Sequence, residues 1–221
     1  MMKEIDRKHS WRKLSPDDGH YFFGYYDRNP WDGEIRRHLV LKISQMDRLP
    51  ERGERAEIGL LDREGNYEPM TETRAWCHQQ GCMELFLKHR PDCFIYNDYE
   101  EKEKRLVARI FQIGKGVVGR YELPVYAMSP DGKWAVSLNF SRIPRRGYSY
   151  ADALLSEDLH PADPDSDGIF RINLESGEIK LIVSYRTMME RHPYAYGLPG
   201  QHIWLNHAIV NCDSTRVLWL F

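Results

Sequence analysis

At 221 residues the chain is long enough to bury one large all-β core or two small ones. Its 31 Lys and Arg against 33 Asp and Glu leave no basic excess, so bulk charge does not call for a nucleic-acid partner. The opening MMKEIDRKHSW lacks the apolar run of a secretory leader, and no later stretch approaches the roughly 18 uncharged apolar residues of a membrane span. The expectation is a soluble, cytoplasmic chain with no membrane or nucleic-acid partner.

In chain order, the charged residues 1–19 form a lead-in arm or the partner strand of a sheet closed elsewhere. HYFFGYYD (20–27) follows, five aromatic residues around one glycine, which reads as an inner strand packing rings between sheets. The alternative is a ligand wall, since His20, Tyr25, Tyr26 and Asp27 carry polar tips that a sugar can meet. Asn29-Pro-Trp-Asp-Gly33 then turns the chain into the apolar strand 38–46. A long polar connection, 47–56, leads to strand 57–61, and Leu61-Asp-Arg-Glu-Gly-Asn66 makes a hairpin into 67–76.

A second sheet is expected from Gln79-Gln-Gly-Cys-Met-Glu-Leu-Phe86 through 94–99, with 105–113 and 120–123 as its outer hairpin. Gly114-Lys-Gly-Val-Val-Gly119 has the spacing of a dinucleotide fingerprint, but the strand-like RYELPVY that follows offers no helix N-terminus for a pyrophosphate. A third sheet opens with YAMSPDGKWAVSLNF (126–140). There proline presets φ, aspartate bonds forward amides and glycine takes positive φ, before a period-2 strand with two unlike faces. It resumes at 168–173 and 178–184 after an insertion, 141–167, whose first half carries Arg142, Arg145, Arg146, Tyr148 and Tyr150 and whose second half is acidic. SYRTMMER (184–191) is the single credible helix, with Ser184 as its cap and Pro193 beyond its end. QHIWLNH (201–207) opens a fourth sheet, and the chain stops within an apolar strand.

The recurring unit of strand, aspartate turn and strand predicts a repeat fold of antiparallel sheets arranged radially, an all-β β-propeller with about three and a half blades of a larger ring. The blades fall at 20–76, 79–123, 124–184 and an incomplete 201–221, and their completion is expected from further residues or another chain. Polar residues recur at the ends of the inner strands: His20, Tyr25, Gln79, Gln80, Asn97, Asn139, Arg142, His202, Asn206 and His207. In a radial array such ends meet around one channel. The four cysteines are too few and too irregular for a disulfide scaffold, and Cys77 and Cys82 lack the second ligand pair of a structural zinc site. His202, with Gln201 or a histidine from a missing blade, is the candidate ligand for a divalent ion such as manganese or zinc, and His207 is the other histidine in reach of the sequence motif. Strand alternation puts His207 on the opposite face from His202, so both reach one ion only across a bulge.

HYFFGYYDRNPWD, ETRAWCHQQGC, YAMSPDGKWAVSLNF with its Arg/Tyr loop, and HIWLNHAIVNCD together resemble bacterial propellers of the oligogalacturonate lyase type and the related ulvan lyases. The Ser-Pro-Asp-Gly turn is shared more widely, including with TolB-like propellers. The resemblance implies β-elimination on an acidic, uronate-containing oligosaccharide. That chemistry needs a cation to neutralise the carboxylate, a base for the C5 proton and an acid for the leaving oxygen. Arg142 or Arg146 suits the first role, His20 or His202 the second, and Tyr148 or Tyr25 the third. Tyr26, Trp76, Gln80, Asn139 and Asn206 would contact the sugar. Two other readings stand beside it: a noncatalytic TolB-like propeller binding a protein or glycan, and a glycoside hydrolase using Asp27 and Asp98.

Overall fold

The computed structural model describes residues 12–25, 27–153, 164–192 and 202–220. Among these the protein is all-β apart from one short α-helix and two single-turn 3-10 segments. Three four-stranded antiparallel sheets follow one another along the chain, each strand pairing with the next in sequence, and a two-stranded hairpin comes last.

The first sheet holds β1 (His20–Phe22), β2 (Arg37–Ile43), β3 (Ala56–Asp62) and β4 (Tyr67–Thr73). The second holds β5 (Leu85–Leu87), β6 (Arg90–Glu100), β7 (Arg105–Gln112) and β8 (Gly116–Tyr121). The third holds β9 (Ala127–Met128), β10 (Trp134–Ser137), β11 (Gly168–Asn173) and β12 (Ile179–Ser184). The hairpin is β13 (Asn206–Val210) with β14 (Val217–Leu220). After β12 comes α1 (Tyr185–Arg191), where the Ser184 hydroxyl accepts from the Thr187 amide as the cap its sequence calls for.

Turn chemistry explains where the strands end. Asp62 Oδ1 accepts from the amides of Glu64, Gly65 and Asn66, which closes the β3–β4 hairpin. At β9–β10, Ser129 Oγ donates to Asp131 Oδ1, Asp131 accepts from the Lys133 amide, and Gly132 adopts φ 72°. Asn211 Oδ1 accepts from the Thr215 and Arg216 amides in the last hairpin.

Alternation along the strands sends side chains into separate cores. From β6, Phe94 and Tyr96 face β2 and β3 in a cluster with Leu39, Leu41, Ile58 and Leu60. Cys93 and Ile95 face the other way and join Ala135 of β10 and Ile172 of β11. From β10, Trp134 and Val136 meet Ala208 and Val210 of β13. The sheets are thus layered face to face in chain order. A fully buried leucine or phenylalanine in such a layer contributes about 1.5–3 kcal/mol relative to exposure.

This layering buries both faces of β10, the large one and the small one. Residues 134–137 alternate between large and small side chains, yet all four are buried, because β10 is covered by one neighbouring sheet on each face. Two inner strands are also shorter than expected. β1 stops at Phe22 because Gly24 turns away to donate its amide to Glu84 Oε1 at 3.0 Å. β5 begins only at Leu85, because Cys77 and Gly81 exchange backbone bonds in a tight turn, with Gly81 and Met83 both at φ 60°.

Candidate functional site

Tyr25, Asp27 and Arg28 after β1, the segment Gln80–Met83 before β5, Tyr126 before β9 and Asn206–His207 at the start of β13 converge. Each sheet and the hairpin therefore sends residues from its first strand, or from beside it, to one place. The centre is the Tyr126 hydroxyl, which donates to Asn206 Oδ1 at 2.7 Å and accepts from Gln80 Nε2 at 3.0 Å and the His207 amide at 2.9 Å. Burial pushes this phenol up to about 12, so it stays a neutral donor at physiological pH. The guanidinium of Arg28 lies 5.8 Å from the Tyr126 ring centroid. It donates to the Tyr126 carbonyl and to Met83 Sδ, and Asp27 sits 3.4 Å from its Nε.

Around this centre Tyr25, Asp27, Arg28, Gln80, Met83, Tyr126, His207 and Ile209 line a narrow cleft. The rings of Tyr25 and His207 meet at 5.5 Å with a 39° tilt. Gln79 Nε2 donates to the Tyr25 hydroxyl at 3.3 Å. The Gln79 amide donates to the Gly147 carbonyl at 3.1 Å, which brings the Arg145–Tyr148 loop beside the Gln79–Tyr25 pair. Gln80 is fully buried, and its Oε1 has no hydrogen-bond partner among the described residues. His207 reaches the cleft because the β13–β14 register shifts between Asn206 and Ile209 and His207 takes φ 50°.

Glu84 lies behind the cleft and is nearly fully buried. Its carboxylate accepts from the amides of Gly24 and Cys82 and from the Cys82 thiol at 3.2 Å. Burial raises its pKa above the ordinary carboxylate range despite those donors. It locks the first sheet's loop to the second sheet. The same burial pushes the Cys77 thiol up to about 12, so this cysteine is an unreactive core residue.

The residues singled out in the sequence divide into two groups. Tyr25, Gln80, Asn206 and His207 meet at the Tyr126 centre, and Gln79 and the loop bearing Arg146 and Tyr148 adjoin it. Arg146 is exposed, while Tyr148 packs against the core. The others are placed elsewhere. His20 is an exposed residue paired with Ile43 at the sheet edge. Trp76 is buried, with its indole N–H on the Glu54 carbonyl at 3.1 Å. Asn139 donates to Asp167 Oδ2 at 2.9 Å and caps the short turn Phe140–Arg142. Arg142 is buried, donates to the Ile203 carbonyl at 2.9 Å and lies over the Tyr185 ring, so its guanidinium serves packing. His202 is bonded through Nε2 to the Arg142 carbonyl at 2.7 Å, whereas His207 lies against Tyr25. These separate commitments do not suit a shared metal ion, and no metal-holding group of three His, Cys, Asp or Glu occurs among the described residues. Asp98 is bound by Arg109 and by the Arg74 amide, so it does not face Asp27 across the cleft. Tyr26 and Gln201 lie outside the described residues.

Sequence reasoning missed Arg28, Met83, Glu84 and Tyr126. Tyr126 carries a usable signal, since it precedes the first strand of its sheet as Gln80 precedes that of its own. No helix among the described residues is long and apolar enough to cross a membrane. No protein family model, curated protein or solved structure matches the chain.

Proposed function

We propose that the sheets are consecutive sectors of a β-propeller of the oligogalacturonate lyase-like kind, and that the protein cleaves a uronate-containing oligosaccharide by β-elimination on the surface over the Tyr126 cleft, where Tyr25 and His207 are half-buried. The observation that carries this reading is the convergence in one cleft of residues from beside the first strands of all three sheets and from β13, with a tyrosine–histidine ring pair at the same place. His207 is the base that takes the C5 proton, and Tyr25 is the acid that gives a proton to the leaving oxygen. As the C5–H bond and the C4–O bond break, a C4–C5 double bond forms. Arg146, exposed beside Gly147, is the cation for the uronate carboxylate.

The test is to incubate the full chain with pectic, ulvan and glycosaminoglycan oligosaccharides and follow the ultraviolet absorbance of the unsaturated product. Product should form with at least one of them, and His207→Ala or Tyr25→Phe should lower the rate by about 10²–10⁴-fold, the range of a lost general acid or base. Absence of product with all three classes overturns the catalytic reading. A noncatalytic propeller that binds a protein or glycan over its surface is the second reading, favoured by a cleft too narrow to admit a water-sized sphere. Saturable oligosaccharide binding without turnover selects it.

A further inference from the structure

We infer that a second cleft, between the second and third sheets, binds a small multivalent anion carrying two or more phosphate or carboxylate groups. It lies where β5 and β9 end, whereas the Tyr126 cleft lies where they begin. Its volume is about 470 Å³, within the range of small-molecule sites. Lys88, His89 and Arg90 come from the β5–β6 turn, Lys133 from the β9–β10 turn and Arg171 from β11, with Glu175 the one carboxylate among the lining residues and Asp131 and Asp92 within electrostatic reach of these cations.

The charge here differs from that on β7 and β8, whose arginines are all paired. Elsewhere on the second sheet Arg105 pairs with Glu103 and Glu122, Arg109 with Asp98 and Glu100, and Arg120 with Glu100, Glu103 and Glu122. Lys88, Arg90, Lys133 and Arg171 make no ion pair among the described residues, although the whole chain carries slightly more acidic than basic side chains. Like charges gathered in a concave surface repel one another and raise the local positive potential, which an anion relieves.

The scaffold is held in place without using those charges up. Lys88 donates to the Pro130 carbonyl at 2.8 Å, and His89 Nε2 meets the Asp131 carbonyl at 2.7 Å, so the β5–β6 turn is clamped to the β9–β10 turn. A Cβ at Gly132 would lie 3.2 Å from the His89 ring, so the close fit needs glycine there as well as positive φ. Arg171 lies over the Trp134 ring at 5.3 Å, which steadies its stem and leaves its guanidinium donors free to fork onto an oxyanion. Tyr121 closes the cleft wall by donating to the Leu174 carbonyl at 2.5 Å.

Titration calorimetry of the full chain with tripolyphosphate and, separately, citrate tests this and distinguishes phosphate from carboxylate ligands. Saturable binding at one site per chain is expected for at least one anion, weakening as salt is raised. Arg90→Gln and Lys133→Gln, both at exposed positions, should each weaken it about tenfold, the size of one lost charge-assisted contact. Arg36→Gln, an exposed control already paired with Glu34, should leave it unchanged. No saturable binding of either anion, or equal losses in Arg36→Gln, overturns the proposal.

Discussion

At the scale of single residues, Tyr126 carries the most consequence per atom. Its hydroxyl satisfies Gln80 and Asn206 side chains and the His207 amide, all drawn from other sheets. Tyr126→Phe keeps the ring and strands these three groups in a buried setting, which should cost about 2–4 kcal/mol, read as a lower midpoint of urea unfolding. Glu84 gives a pH signature of unusual sign. Its folded-state pKa is raised above the ordinary 4.5, so between the unfolded and folded values the native state holds more protons than the unfolded chain. Its contribution is therefore full below about 4.5 and declines as pH rises through the folded value. Stability of Glu84→Gln relative to the unaltered protein should improve from about pH 4 to pH 7 in parallel unfolding series. An unchanged difference across that range would remove Glu84 as the source. This behaviour was not legible in HQQGCMELF, because nothing local says that the glutamate will face Gly24 across two sheets.

At the scale of elements, the turns were readable and the inner strands were not. Asp62, Asp131 and Asn211 act on amides within five residues of themselves, so their chemistry is written locally. β1 is cut short by a bond between residues 60 positions apart, which no periodicity encodes, and β5 by a tight turn with positive φ at Met83, a residue that carries no turn signature. The same distinction applies to Gly59, in the middle of β3. A Cβ there would lie 2.3 Å from the Tyr67 ring, next to the register shift between Ile58 and Gly59. Tyr67 in turn donates to Glu57 at 2.8 Å and meets the Tyr21 ring edge-on at 5.1 Å. Gly59→Ala should therefore destabilise the protein by about 1–3 kcal/mol through overpacking. Combining it with Tyr67→Ser should recover part of that loss in a double-mutant cycle; simple additivity would show that the ring is not the obstacle.

At the scale of the whole molecule, the layering of sheets in chain order makes most pairing local. The residues that were hardest to place from sequence are those whose partners lie across that layering. Arg142 and His202, attractive as isolated polar side chains, bind backbone carbonyls, His202 that of Arg142 and Arg142 that of Ile203, while Tyr25 and His207 meet only because a bulge swings one of them round. The insertion is tied back in the same manner: Asp152 accepts from Arg74 and from the Gly53 amide, binding a segment of the third sheet's loop onto the first sheet.

The bonds at Tyr126 join residues 46 to 98 positions apart, whereas each hairpin joins near neighbours. Loops that long are closed late, after the hairpins have formed, because their closure is rewarded only once the flanking strands are in register. The junction thus acts as a latch on an assembled stack and governs how slowly the protein comes apart. In stopped-flow measurements Tyr126→Phe should accelerate unfolding and leave the refolding rate nearly unchanged.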